Sequence, residues 1–114
     1  MSMSETEPQE VLEQLDAVHH VALPVHDLDQ SVHWYRTSFC CQEVYRDRTQ
    51  AILQFANLRL VLVLPSQQRL HLAFVKPDAA EFGRIKEQSD GVHSTMVSDP
   101  SGHIVELVLP EEAA

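Results

Sequence analysis

Two copies of one short pattern, His20-Val-Ala-Leu23 and His71-Leu-Ala-Phe74, lie 51 residues apart in a chain of 114 residues. A second pair of segments, Val61-Leu-Val-Leu-Pro65 and Glu106-Leu-Val-Leu-Pro110, repeats with an offset of 45 residues. The chain is therefore predicted to contain two modules that share one plan. The second module is shorter by six residues, the difference between the two offsets, which indicates a lost or truncated strand.

The first module is predicted to fold as β-α-β-β-β. Alternation of apolar and other residues predicts a strand over 18–25. Asp27 is a typical helix N-cap, and Gln30 follows at the capping-box position. The apolar residues that follow recur at spacings of four, three and four, which predicts a helix with one buried stripe. This stripe comprises Leu28, Val32, Tyr35 and Phe39. Three further strands are predicted over 41–48, 51–56 and 59–64.

The second module is predicted to follow the same order with one strand reduced. A strand is expected over 70–75, and Asp78 with Glu81 predicts the start of a helix that ends at Asp90-Gly91. The stripe of this helix would be Phe82 and Ile85. Strands over 93–98 and 104–109 would be joined by a tight turn at 99–102.

The fold class is therefore α+β. Residues 1–16 are expected to be a flexible or helical tail, and 17–112 a single domain with modules over about 17–66 and 67–112.

Composition excludes several function classes. The formal charge of −9 opposes binding to nucleic acid and to anionic membranes, because both require clustered lysine and arginine. No segment approaches the roughly 20 apolar residues that a membrane helix needs, and no secretory signal is visible, so a cytoplasmic location is expected. Cys40 and Cys41 are adjacent, which suits neither a zinc knuckle nor a disulfide framework. They are interpreted as reduced thiols.

Three side chains are candidate metal ligands. Strand periodicity places His20, His71 and Glu106 on the face opposite the larger apolar set of their strands. Two imidazoles and one carboxylate suit non-haem Fe(II) or catalytic zinc, and both leave coordination positions open. His19 competes with His20 as a ligand, but its parity directs it toward the helix layer or the sheet margin. The alternative is that both histidines are ordinary hydrogen-bonded residues and that Glu106 reaches solvent from an edge strand.

The chain resembles the vicinal-oxygen-chelate superfamily, also known as the glyoxalase/bleomycin resistance protein/extradiol dioxygenase group. The resemblance runs from about Val18 to Pro110 and rests on three segments. They are His19-His-Val-Ala-Leu-Pro-Val-His-Asp27, Ser31-Val-His-Trp-Tyr-Arg36 and, most specifically, Asp99-Pro-Ser-Gly-His-Ile-Val-Glu-Leu107. It implies two βαβββ modules curled into an open, cupped mixed-sheet barrel around a metal.

The resemblance also implies ligand positions and an oligomeric state. The family's three metal ligands fall on His20, His71 and Glu106. A fourth ligand, present in glyoxalase-like and epimerase-like members, would fall on Val61 and is absent. Its absence favours a three-ligand centre, as in the thiol transferases and dioxygenases. Small relatives often dimerise, so a homodimer is expected.

Two main functional hypotheses follow. The first is a divalent-metal enzyme (Fe, Mn, Ni, Co or Zn) that binds a small substrate through its oxygens at His20, His71 and Glu106. No general base stands out. The alternative is a metal-free small-molecule binding protein, as in bleomycin-resistance sequestration. A degenerate scaffold or protein-interaction domain is a third, weaker hypothesis.

Overall fold

The computed structural model describes residues 15–88 and 91–110. The predicted tail over 1–16 therefore lies almost entirely outside the described residues. The described chain is α+β and builds one eight-stranded mixed sheet that does not close into a barrel. Its elements are β1 Val18–Pro24, α1 Leu28–Ser38, β2 Gln42–Arg46, β3 Gln50–Gln54, β4 Arg59–Val63, β5 His71–Val75, a 3₁₀ turn Ala79–Glu81, β6 Lys86–Glu87, β7 His93–Ser98 and β8 Ile104–Val108.

Strand order separates the sheet into two matching halves. The order is β2-β3-β4-β1 followed by β5-β8-β7-β6, so the first strands of the two modules are neighbours at the centre. β1 and β5 run antiparallel, whereas β1 with β4 and β5 with β8 are parallel. Each parallel pair requires a crossover connection, and α1 lies within that of the first module. The predicted α+β class and its two-module plan are confirmed.

Helix α1 forms as its sequence predicts. The side chain of Asp27 accepts a hydrogen bond from the backbone N–H of Gln30 at 2.9 Å, which caps the N-terminus. Leu28 and Val32 pack against residues of β3 and β4 and form the core of the first module. The predicted stripe is too long, however, because Phe39 lies beyond the last helical residue and is half exposed.

The predicted second helix is wrong. Within residues 78–88 of this segment only the 3₁₀ turn Ala79–Glu81 forms as a helix, and the Asp78 side chain makes no cap hydrogen bond. Gly83 lies two residues after this turn, and glycine costs about 1 kcal/mol relative to alanine inside a helix. Its backbone also lies so close to Thr95 that an added Cβ would meet Thr95 Oγ1 at 2.5 Å. The segment therefore packs flat on the sheet instead of forming a helix. Phe82, predicted to be buried, is half exposed.

The missing helix changes which face of the second module is buried. Leu70 and Leu72, the two leucines that flank His71, are 58% and 45% exposed, because no helix of the described residues covers them. His71 and Ala73, on the opposite face of β5, are buried. The predicted reduction of one strand is confirmed, since β6 spans only Lys86–Glu87. The predicted turn after β7 is also present, with Gly102 at φ 87 and its N–H bonded to the carbonyl of Asp99.

Candidate metal centre

The two histidine motifs pair with each other across the centre of the sheet. In the antiparallel register of β1 and β5, His20 lies opposite Ala73 and Ala22 lies opposite His71. Each His-x-Ala motif therefore presents its alanine to the histidine of the other motif. Because opposed residues project to the same face, both imidazoles share one face of the sheet. The small alanines leave room beside each ring.

Glu106 and Val61 occupy matching positions on the two outer neighbours. Glu106 of β8 lies beside Ala73, and Val61 of β4 lies beside Ala22. The face that carries the histidines therefore has a carboxylate on one side and an isopropyl group on the other. Val61 is buried. The position at which the resemblance would place a fourth ligand thus faces the same side as the triad but offers no donor atom.

The three predicted side chains converge. The Oε1 atom of Glu106 lies 3.1 Å from Nε2 of His71 and 3.3 Å from Nε2 of His20. One ligand atom from each residue can be chosen so that all three lie within 4.8 Å of one another. The residues are only 2–5% exposed. The alternative interpretation, in which Glu106 reaches solvent from an edge strand, is wrong, because β8 lies between β5 and β7 and Glu106 is buried.

The surroundings of Glu106 favour its ionised form despite its burial. Burial by itself would raise the pKa of the carboxyl, since it disfavours the charged form. Hydrogen bonds from His20, His71 and Ser94 outweigh that effect and hold the pKa of Glu106 well below its usual range. The Ser94 hydroxyl donates to Oε2 at 2.7 Å. Sequence reasoning missed Ser94; the available signal was a hydroxyl residue inside a predicted strand.

Nε2 of His71 faces the carboxylate of Glu106. The Nδ1 atom of His71 lies 3.0 Å from the backbone carbonyl oxygen of Arg69, which can only accept a hydrogen bond. Nδ1 therefore carries a proton, so Nε2 offers a lone pair when the ring is neutral and donates to Glu106 when the ring is protonated. Two acceptors 3.1 Å apart require a proton or a cation between them. A divalent cation meets this requirement, and a ring that donates Nδ1–H to a carbonyl is typical of metal-bound histidine.

His19 contacts His20, contrary to the face assigned to it by parity. The two Nδ1 atoms are 2.7 Å apart, and the ring planes are steeply inclined at 73°. The register between β1 and β5 shifts between Val18 and His20, so strict alternation fails there. His26, His33 and His103 are exposed. Cys40 and Cys41 are free thiols, also as expected.

A cavity of about 470 Å³ reaches His71 from the rim of the second module. The loop before β5 contributes Arg69 and two amide side chains, and the strands β7 and β8 contribute mainly apolar surface. The lining residues are Gln67, Gln68, Arg69, His71, Met96, Val97, Ser98 and Ile104. The cavity is of a size that small-molecule sites commonly have.

No helix within residues 15–88 and 91–110 is long and apolar enough to cross a membrane. No protein-family model matches the chain, and no curated protein matches it.

The solved structures that are similar to this chain include proteins named as glyoxalase-related or bleomycin-binding. A lactoylglutathione lyase from Agrobacterium tumefaciens is 21% identical over 79% of this chain and 90% of its own, with a TM-score of 0.39. A bleomycin-binding protein complexed with bleomycin is 21% identical over 77% and 93%, with a TM-score of 0.36. A glyoxalase-related enzyme from Fulvimarina pelagi is 20% identical over 86% and 89%, with a TM-score of 0.40. Values this low carry no information about activity or ligand.

Proposed function

We propose that this protein is a divalent-metal enzyme that binds a small substrate through its oxygens, with His20, His71 and Glu106 as the metal ligands. The observation that carries the proposal is the convergence of two imidazole nitrogens and one carboxylate oxygen in a buried site. The orientation of His71 supports it further, because Nδ1 contacts the carbonyl oxygen of Arg69 and leaves Nε2 facing Glu106. The metal would be Fe, Mn, Ni, Co or Zn, because imidazole and carboxylate ligands suit these ions.

The donor set leaves room for a substrate. Three protein ligands on a four- to six-coordinate ion leave one to three positions open. A bound ion would supply Lewis-acid stabilisation of negative charge on substrate oxygens. The chain's own contribution is to hold the carboxylate ionised through Ser94, to orient His71 through the carbonyl of Arg69, and to keep the ligands away from bulk water. The cavity beside His71 is the proposed route for the substrate.

Metal titration tests this proposal. Chelator-treated protein is dialysed and titrated separately with Fe²⁺ under anaerobic conditions, Mn²⁺, Ni²⁺, Co²⁺ and Zn²⁺, and bound metal is measured by elemental analysis. One ion per chain is expected for at least one metal. His71→Ala should abolish this stoichiometric binding, whereas His26→Ala, which removes an exposed histidine, should retain it. Wild-type protein that binds none of these ions contradicts the proposal.

A metal-free binding protein is the second candidate. One observation favours it: within the described residues no buried side-chain nitrogen or oxygen lacks a hydrogen-bond partner, so the triad is satisfied without an ion. Calorimetry with metal-free bleomycin as the probe separates the two functions. Binding that is unchanged in excess EDTA and in His71→Ala supports sequestration. No binding of this probe in EDTA, together with one metal ion per chain, supports the metalloenzyme.

Two further proposals concern organisation. We propose that residues 17–112 form one domain, because β1 and β5 join the two modules in one continuous sheet. We also propose a homodimer, since β2 presents an unpaired edge with Val44 and Tyr45 exposed. Sedimentation equilibrium measures the mass directly, and a mass of 12.9 kDa at all protein concentrations would contradict the dimer.

A further inference from the structure

We propose that His19 is a positioning residue that holds the ring of His20 so that Nε2 of His20 faces the candidate metal centre. The proposal rests on the proposed metal function and extends it to a side chain outside the triad. It is carried by a contact of 2.7 Å between the Nδ1 atoms of the two rings. His20 is 4% exposed, and its other ring nitrogen, Nε2, lies 3.3 Å from Glu106. His20 is thus held at both ends.

A local irregularity in β1 makes this contact possible. Consecutive side chains of a regular strand project to opposite faces, so neighbours cannot normally face each other. Here Val18 pairs with Phe74 and His20 pairs with Ala73, so β1 advances by two residues while β5 advances by one. Such a bulge redirects side chains and is common beside functional sites. It allows the Nδ1 atom of His19 to reach that of His20.

A cation bound at Nε2 of His20 determines which of the two rings donates in the contact between His19 and His20. Between two Nδ1 atoms only one ring can donate and the other must accept. A metal-bound Nε2 offers its lone pair, so the single proton of neutral His20 lies on Nδ1 and is donated to His19. His19 then accepts with Nδ1 and carries its own proton on Nε2.

The two histidine ligands therefore have equivalent support from different sources. His71 donates from Nδ1 to the backbone carbonyl oxygen of Arg69, two residues earlier in the chain. The corresponding residue before His20 is Val18, which lies on the other side of the bulge. A side chain, His19, takes the role that a backbone carbonyl performs in the second module. Partners of this kind orient metal-bound imidazoles, and their loss typically costs 10-fold to 100-fold in metal affinity.

Two substitutions of His19 separate positioning from packing. His19→Phe keeps a ring but removes the acceptor, whereas His19→Asn places an amide oxygen near the former position of Nδ1. Affinity for Co²⁺ is measured by competition with a chromophoric chelator, and the visible spectrum of the cobalt protein is recorded. His19→Phe is expected to bind Co²⁺ about 10-fold to 100-fold more weakly and with an altered spectrum. His19→Asn is expected to restore most of the affinity and the wild-type spectrum.

Controls keep the outcome interpretable. His26→Phe removes an exposed histidine and should bind Co²⁺ as the wild type does. Circular dichroism establishes that each variant is folded. In the ¹⁵N-labelled zinc-bound protein, long-range ¹H–¹⁵N spectra should show His20 protonated on Nδ1 and His19 on Nε2.

Failure of this inference differs from failure of the proposed function. Two results overturn the role of His19 and leave the metal centre intact. One is a folded His19→Phe variant with wild-type Co²⁺ affinity and spectrum, and the other is protonation of His19 on Nδ1 in the zinc-bound protein. Wild-type protein that binds none of Fe²⁺, Mn²⁺, Ni²⁺, Co²⁺ and Zn²⁺ overturns both.

Discussion

His20 reaches Glu106 across the full width of an intervening strand, with 3.3 Å between Nε2 and Oε1. β5 separates β1 from β8, so the backbones of the two residues are roughly 10 Å apart, about twice the spacing of neighbouring strands. The residue between them is Ala73, which pairs with both and is fully buried. A larger residue there would occupy the space in which imidazole and carboxylate meet.

Ala73→Leu is therefore expected to separate the triad. Packing the extra carbons into this site should destabilise the protein by about 1–3 kcal/mol, measured by urea unfolding. Co²⁺ affinity should fall about 100-fold or more, as expected when ligands can no longer converge. Ala73→Gly is the matched control: it keeps the space and should retain affinity at a cost of about 0.5–1 kcal/mol in stability. Ala73→Leu with wild-type Co²⁺ affinity would contradict the geometry described for the site.

Ser94→Ala tests the hydrogen bond that supports the carboxylate. The hydroxyl donates to Oε2 of Glu106 at 2.7 Å, and both residues are buried. Hydrogen bonds to charged groups contribute about 1.5–3 kcal/mol, so the free energy of unfolding should fall by that amount. Metal affinity should also fall by roughly 10-fold. Ser101→Ala, in the exposed turn before β8, is the control and should change neither quantity. Equal effects of the two substitutions would show that the Ser94 contact is unimportant.

Glu106→Gln should lower the stability of the metal-free protein in a pH-dependent manner. The folded state depresses the pKa of Glu106 from an unfolded value near 4.5, so its contribution is fully present above that pH. At pH 7 the variant should be less stable by about 2 kcal/mol, because hydrogen bonds to a buried carboxylate are lost or weakened. The contribution is lost as pH falls below the unfolded value toward the lower folded pKa. Urea unfolding from pH 7 to pH 3 should therefore show the two proteins converging.

If the free energies of unfolding of the wild type and Glu106→Gln differ by a constant amount from pH 7 to pH 3, the assignment of Glu106 as the ionised group is contradicted. Glu81→Gln provides the control, since Glu81 is exposed on the 3₁₀ turn.

Gly83→Ala tests the flat packing that replaces the second helix. A Cβ at this position would lie 2.5 Å from Oγ1 of the buried Thr95, so one of the two segments must move. The expected cost is about 1–3 kcal/mol, measured by thermal or urea unfolding. Gly91→Ala is an informative comparison, because Gly91 has open space but a positive φ of 85°, so any cost there is backbone strain. Thr95→Ala should relieve the clash, so the effects of Gly83→Ala and Thr95→Ala should not be additive.

The sequence predicted the triad because its residues lie in long, regular patterns. His20 and His71 occupy matching positions of a repeat, and Glu106 interrupts an apolar strand, so parity alone directs all three to one face. The same reasoning failed for His19, because a bulge in β1 breaks the alternation and is encoded by no local signal in this segment.

The prediction of a second helix failed for a different reason. Asp78 and Glu81 resemble a cap, but the segment that follows offers only Phe82 and Ile85 as a stripe and contains Gly83. Helical stability comes mainly from packing an apolar face, and this segment has too little of one. Contact with Thr95, which is distant in sequence, then decides its path. Ser94 was missed because its hydrogen bond to Glu106 depends on how β7 and β8 pair, which the sequence of either strand alone does not show.

Val61 and Glu106 occupy matching positions in the two modules but differ in chemistry. The candidate site is therefore asymmetric, although the strands around it follow the same plan in both modules. The pair of histidines has an apolar side chain on the β4 side and a carboxylate on the β8 side. The two ends of a bound ligand would therefore not be interchangeable. A ligand with one apolar end and one cationic or metal-binding end would bind in a single orientation. The orientation of the ligand would thus be set by a single difference between the two modules, valine in one and glutamate in the other.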